Sequence, residues 1–251
     1  MKFQGRGNVV LRVLDSDGIP GAGQLLCPDS FAVDFGVDSF EHRSKCGLQD
    51  VVDYRGITGI NGTLTLSFSD VEDVNFAFAT LGTMTAEGAP GTVTDEQMPS
   101  GLVNGDWTYL GNGTRHFAIT SLVIEDSDSP PNTANLTTDY TLDAASGKVT
   151  WVDVSGFTQP FKASYGYTDP AKVSMMTAAT REYNVTLEFL NRANANDPGT
   201  LELFRVRFDP AANLDFLSDE LQIPQMTGSI LADTTRDPED TEHGQFGVRR
   251  L

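Results

Sequence analysis

Two clusters of carboxylates are the first places to look for chemistry. Asp15-Ser16-Asp17-Gly18 has the opening of a calcium-binding loop, where alternating oxygens would surround a hard cation. The later ligand positions and the closing glutamate of such a loop are missing, so an Asp-rich turn is the simpler reading. Glu125-Asp126-Ser127-Asp128 also offers several carboxylates, but it leads directly into Pro130-Pro131 and reads as a solvated acidic loop. No metal and no cofactor are expected at either place.

The three histidines, His42, His116 and His243, lie far apart in sequence and in no metal or triad motif, so each reads as a surface or packing residue. A glycosidase would need two acids at catalytic separation in one cleft. With this many acids, no particular pair stands out. Trp107 and Trp151 are candidates for a sugar-binding face, although alternation places most aromatics in a core. The two cysteines, Cys27 and Cys46, are spaced for neither a zinc site nor a disulfide framework and read as structural thiols. No catalytic residue is nominated.

Composition narrows the classes further. The 251 residues include 17 Lys+Arg against 35 Asp+Glu, a formal net charge of −18, which repels phosphate and anionic lipid and disfavours nucleic-acid wrapping. Hydrophobic residues make up 39%, enough to build a core, so the acidity does not signal bulk disorder. The first residues lack the apolar segment of a secretory signal, and no stretch has the length of a membrane-spanning helix, so the protein is expected to be made in the cytoplasm without a membrane anchor. Four Asn-X-Thr tripeptides, at Asn61, Asn112, Asn135 and Asn184, then read as turn and strand chemistry.

The elements that position these residues are short alternating runs punctuated by 24 glycines and 12 prolines, the pattern of antiparallel β structure. Phe31, Val33, Phe35 and Val37 alternate with Ala32, Asp34, Gly36 and Asp38; Leu64, Leu66 and Phe68 alternate with Thr63, Thr65, Ser67 and Ser69. In both strands the outer face is small and polar. Ser69-Asp70-Val71-Glu72 fits a capping box, with Val71, Val74, Phe78 and Leu81 on one helical stripe and Gly82 placed to end the helix left-handed. Residues 83–139 read as a loop-rich acidic region around a strand at Phe117 to Ile124. Hairpins follow through Tyr140–Leu142, a turn at Ala145–Gly147, Lys148–Val154 and Phe161–Tyr167. Tyr183 to Phe189 alternate cleanly up to a turn at Asn194–Gly199, and the slip of phase between Leu203 and Phe204 predicts a β-bulge.

An ordered series of segments carries a family resemblance. It runs Phe3-Gln4-Gly5-Arg6-Gly7; Phe40-Glu41-His42-Arg43-Ser44-Lys45-Cys46-Gly47; Asp50-Val51-Val52-Asp53; Gly62 to Ser69; and Asn75 to Gly82. Asp139 to Asp143 with Gly147-Lys148-Val149, Tyr165-Gly166-Tyr167, Phe204 to Pro210, Leu214 to Ser218 and Phe246-Gly247 complete it. Taken together, the series resembles the major tail tube protein of long-tailed, siphovirus-type bacteriophages. The resemblance spans most of the chain and implies an all-β fold with one short helix: a β-sandwich or barrel-like single domain over 1–251, with long loops and arms.

It also implies a structural virion protein without catalysis. Hexameric rings of the chain would stack into a hollow tube that holds a tape measure protein during assembly, meets tail terminator and tail tip proteins, and conducts double-stranded DNA. On this reading strands 30–42 and 57–69 line the lumen with Asp34, Asp38, Thr63, Thr65 and Ser67. The segment 43–56 is a protruding loop whose Arg43, Lys45, Asp50, Asp53 and Arg55 complement the adjacent ring, and 232–251 is a C-terminal arm or a disordered tail. The alternative from another class is a carbohydrate-binding β-sandwich module of a virion or cell surface, which would require an exposed aromatic platform or a calcium site.

Overall fold

The structure, a computed structural model, describes residues 4–45, 51–193, 197–217, 219 and 222–250. In chain order the strands begin with β1 (Gly5–Leu14), β2 (Pro20–Leu26), β3 (Ser30–Ser44) and β4 (Val51–Ser67), followed by helix α1 (Asp73–Ala79) and β5 (Thr83–Thr85). Next come β6 (Gly91–Gln97), β7 (Trp107–Tyr109), β8 (Thr120–Glu125), β9 (Thr133–Ala134), β10 (Tyr140–Asp143), β11 (Lys148–Trp151) and β12 (Lys162–Tyr167). The last are β13 (Lys172–Ser174), β14 (Tyr183–Asn191), β15 (Asp197–Phe208), β16 (Gln225–Leu231) and β17 (Gly247–Arg250). The fold is all-β with one short helix. It divides into two compact units: Met1–Met84 with Val173–Leu251, and the intervening Thr85–Lys172.

The first unit is one antiparallel sheet in the order β2-β1-β14-β15-β16-β4-β3, with β17 on the same side of β15 as β16. Its core face carries Val9, Leu11, Val185, Val206, Met226 and Leu64. Against it pack Phe68 and α1, whose Phe78 ring lies edge-on to Phe208 at 5.0 Å and to Tyr183 at 5.4 Å. The expected bulge is present. Tyr183 faces Val206 and Val185 faces Leu203, so β15 spends one more residue than β14, and both Leu203 and Phe204 become buried.

The helix differs from its sequence pattern. It starts at Asp73 behind Glu72, and no side chain caps it, so the Ser69–Glu72 capping box does not form. Its buried stripe is Asn75, Phe78 and Ala79, leaving Val74 exposed. The left-handed residue is Leu81, at φ 46°, one position before the expected glycine. Leu81 and Gly82 donate to the carbonyls of Phe78 and Ala77, the paired bonds of a Schellman ending. Gly82 is needed for another reason: a Cβ there would lie 2.8 Å from the Ser174 carbonyl.

Both border strands of the sheet, β2 and β3, are paired on one side only, so the sheet does not close into a barrel among the described residues. β16 accompanies β4 only from Gly62 to Ser67, whereas β3 and β4 stay paired out to Ser44 and Val51. Residues 36–44 and 51–61 therefore form a two-stranded ribbon that leaves the sheet. This corrects the reading of 43–56 as a loop. Arg43 faces Val52 and Glu41 faces Arg55 in a continuing ladder, because Val52 and Tyr54 favour strand more strongly than the interspersed charges oppose it. Asp50 and Cys46 lie outside the described residues, as do 194–196 of the expected Asn194–Gly199 turn.

The second unit is a small sandwich of two sheets, β10-β11-β7 and β6-β12-β8-β9. It has its own core, in which Trp151 stacks on Phe161 at 4.2 Å with Leu110, Ile124, Tyr140 and Val149 around them. Much of the expected loop-rich acidic region, 83–139, thus supplies strands and core to a unit of its own. Nor does the C-terminal segment extend as a free arm over its described residues, 232–250. Arg236 stacks over Phe204 at 3.6 Å, Phe246 packs on the first unit's core, and β17 pairs with β15.

Candidate functional site

Register places the five residues nominated for the lumen on a single face. Asp34 sits opposite Thr63, Thr65 lies opposite Ala32, and Ser67 lies opposite Ser30 with their hydroxyl oxygens 2.6 Å apart. Asp38 is farther along β3, where its carboxylate accepts a bond from the Asn61 amide at 3.4 Å. Asp34, Asp38 and Thr63 are exposed, Thr65 is half-buried, and Ser67 is buried beneath its contact with Ser30. Ser67 therefore links β4 to β3 at the sheet end rather than presenting a hydroxyl to solvent.

The same face continues onto strands the sequence reading left out. On β16, Gln225, Thr227 and Ser229 lie opposite Ser67, Thr65 and Thr63, and all three are exposed. Arg207 on β15 then faces Ser229, which completes a cross-strand row of Arg207, Ser229, Thr63 and Asp34. The β16 signal was present as alternation of Thr227 and Ser229 with buried Met226 and Ile230. Four neighbouring strands thus offer one sheet face of short hydroxyls on which Asp34, Asp38 and Arg207 are exposed, while Arg205, two residues before Arg207 on the same face, is paired with Glu182 at 2.6 Å.

The ribbon holds most of the residues nominated for contacts between rings. Arg43, Asp53 and Arg55 are exposed on it, and Lys45 is exposed just beyond the end of β3. Asp53 accepts a 2.6 Å contact from His42 Nδ1, and the Arg55 Nε–H donates to Ser39 Oγ at 3.2 Å, so their partners lie within the ribbon. Apolar side chains share this exposure: Phe35, Val37, Phe40, Tyr54, Ile57 and Ile60 each keep more than half of their surface in solvent, with Ile57 at 69%. A two-stranded ribbon is marginal in water by itself, and among the described residues no third strand pairs with either border of this one.

The acidic clusters and histidines weighed for metal binding or catalysis make defined contacts within the chain. In the Asp15–Gly18 turn, Asp15 Oδ1 accepts the N–H groups of Asp17 and Ile19 at 2.9 and 2.8 Å. Asp126 is buried and accepts from the Asn132 N–H at 2.7 Å and its amide at 2.9 Å, and from the Asp128 and Thr158 N–H groups. Burial opposes its charge, yet these donors outweigh that penalty and hold its pKa at about 2. Each histidine faces an aspartate: His42 and Asp53, His116 and Asp169, His243 and Asp240. The Tyr165 hydroxyl bonds to Glu96, and burial followed by that bond raises its pKa well above the ordinary 10. Among the described residues no three His, Cys, Asp or Glu side chains converge as a metal site. Cys27 is a free, exposed thiol.

These features describe an all-β chain with one polar sheet face and an unpartnered ribbon. By sequence the chain belongs to the family described as protein of unknown function UCP028589, whose model it matches over residues 2–250. No curated protein matches it. Among the described residues no helix is long and apolar enough to cross a membrane.

Proposed function

We propose that the chain is a structural, non-enzymatic subunit of a bacteriophage tail tube, closing into hexameric rings that stack around a DNA-conducting bore in the virion. The observation that carries this reading is the β3–β4 ribbon, with its open borders and its exposed Phe35, Val37, Ile57 and Ile60. A monomer gains nothing by showing them to water, whereas a ring of identical copies covers them and removes the unpaired edges in one step. Such a subunit would meet the tape measure protein in the bore and the terminator and tip proteins at the tube ends.

The polar sheet face suits a bore. Duplex DNA carries about one charge per 1.7 Å, and a lysine-rich wall would bind it by releasing counterions. Around Thr63, Thr65, Thr227 and Ser229 the carboxylates of Asp34 and Asp38 outnumber the exposed Arg207, and Arg205 on the same face is paired with Glu182, so this stretch of wall suits a bore without a cationic trap for the DNA backbone. DNA slides rather than sticks.

The test is electron microscopy of the concentrated protein, with DNA retention measured on the tubes. Rings or tubes are expected, with no retained duplex at low salt. Asp34→Lys/Asp38→Lys should assemble equally well but hold DNA in a salt-sensitive way. A protein that stays monomeric at every concentration, or a lysine variant that retains no more DNA than the parent, would refute the assignment.

A further inference from the structure

The outer face of the three-stranded sheet in the second unit carries an ordered set of aromatic, hydroxyl and charged side chains. Register aligns two rows across it: Asp143, Lys148 and Tyr109 in one, and Thr141, Thr150 and Trp107 in the other. Their sequence neighbours Val149 and Trp151 point into the core, so these six form the solvent side. Trp107 remains 53% exposed and Tyr109 41%, at the sheet border, with their rings at 67° and centroids 5.2 Å apart.

The two rings are fixed in place by cations. Arg115 stacks on Tyr109 at 3.6 Å while its Nε–H donates to the Ser146 carbonyl at 2.7 Å, and Lys148 Nζ lies 4.8 Å from the Trp107 ring centre. Ser146 in turn donates to Asp143 Oδ2 at 2.5 Å. An exposed indole and phenol held by these contacts beside two threonine hydroxyls and a carboxylate meet the needs of a pyranose: an aromatic plane for its C–H face and donors and acceptors for its hydroxyls. Rigidity matters because ordering flexible side chains on binding would cost affinity.

We infer that this face of the second unit binds a neutral carbohydrate chain. The choice of occupant follows from size and charge. At 53% and 41% exposure, two aromatic residues of about 150–250 Å² each offer roughly 150–250 Å² together, short of the roughly 800 Å² that a stable protein partner covers. Arg115 and Lys148 are already engaged with aromatic rings, Asp143 is a local acid, and the −18 chain repels polyanions, so an uncharged sugar polymer fits better than an acidic one. The inference stands apart from the tube reading, since glycan binding and ring formation are scored separately.

The test is affinity electrophoresis of the purified full chain in native gels cast with dextran, laminarin, galactomannan or hyaluronate. Retardation by at least one of the three neutral polysaccharides is expected. Trp107→Ala and Tyr109→Ala should each weaken it at least tenfold, while the emission of buried Trp151 stays unchanged and certifies the fold. Unaltered mobility in all four gels, retardation by hyaluronate alone, or full binding by folded Trp107→Ala would overturn the inference.

Discussion

Replacing Ile57 and Ile60 with serine tests whether the ribbon is an interface. Both side chains are mostly in water in the single chain, 69% and 58% exposed, so removing them deletes little internal packing. Full burial of such a side chain is worth about 1.5–3 kcal/mol, so covering the exposed part contributes about 1 kcal/mol each. The double variant then loses about 2 kcal/mol at every contact between copies, roughly a thirtyfold drop in association. Sedimentation velocity across a concentration series reads the assembly threshold directly, and differential scanning calorimetry reads the fold. The threshold should rise at least tenfold with the melting profile nearly unchanged. An unmoved threshold would show that the ribbon does not hold copies together, and a collapse of the melting profile would show that these residues stabilise the single chain after all.

Two further outcomes follow from the fold. The Asp126 carboxyl is held at about 2 against an ordinary 3.8, so the stability it confers is complete above 3.8 and disappears as pH falls through 2. Acid titration followed by Trp151 emission should show the second unit losing stability across that window, and Asp126→Asn should be less stable at pH 7 with a flatter acid limb; a parallel acid limb in both proteins would contradict this. Leu81→Gly removes a left-handed strain of about 1–2 kcal/mol but also a side chain only 3% exposed, worth about 2–5 kcal/mol. Burial wins, so the denaturant midpoint should fall; a rise would mean that strain dominates at this helix end.

What the sequence disclosed tracks how local each feature is. The alternation in β3 and β4 was readable because one face is core and the other polar throughout, and the β15 bulge was readable because a phase slip is visible within one strand. The polar face was recognised on β3 and β4 but missed on β16 and at Arg207, whose places beside Thr63 depend on pairing residues more than a hundred positions apart. The second unit was obscured because its strands are short and its core side chains, such as Met98, Leu102 and Leu110, are isolated between turns. For the tryptophans, both on strands, periodicity could not show that Trp151 turns inward while Trp107 turns out. The helix was located, but its start shifted because burial of Asn75, bonded to Gln24 and to the Asp70 carbonyl, outranked the stripe through Val74.

The second unit enters after β5 and leaves before β13, and these two short strands pair with each other. Its two ends are therefore neighbours, like the legs of a staple, and the sheet of the first unit is complete without anything between them. A lineage carrying this arrangement can exchange or discard the insert as a cassette without rewriting the strand register of the first unit's sheet.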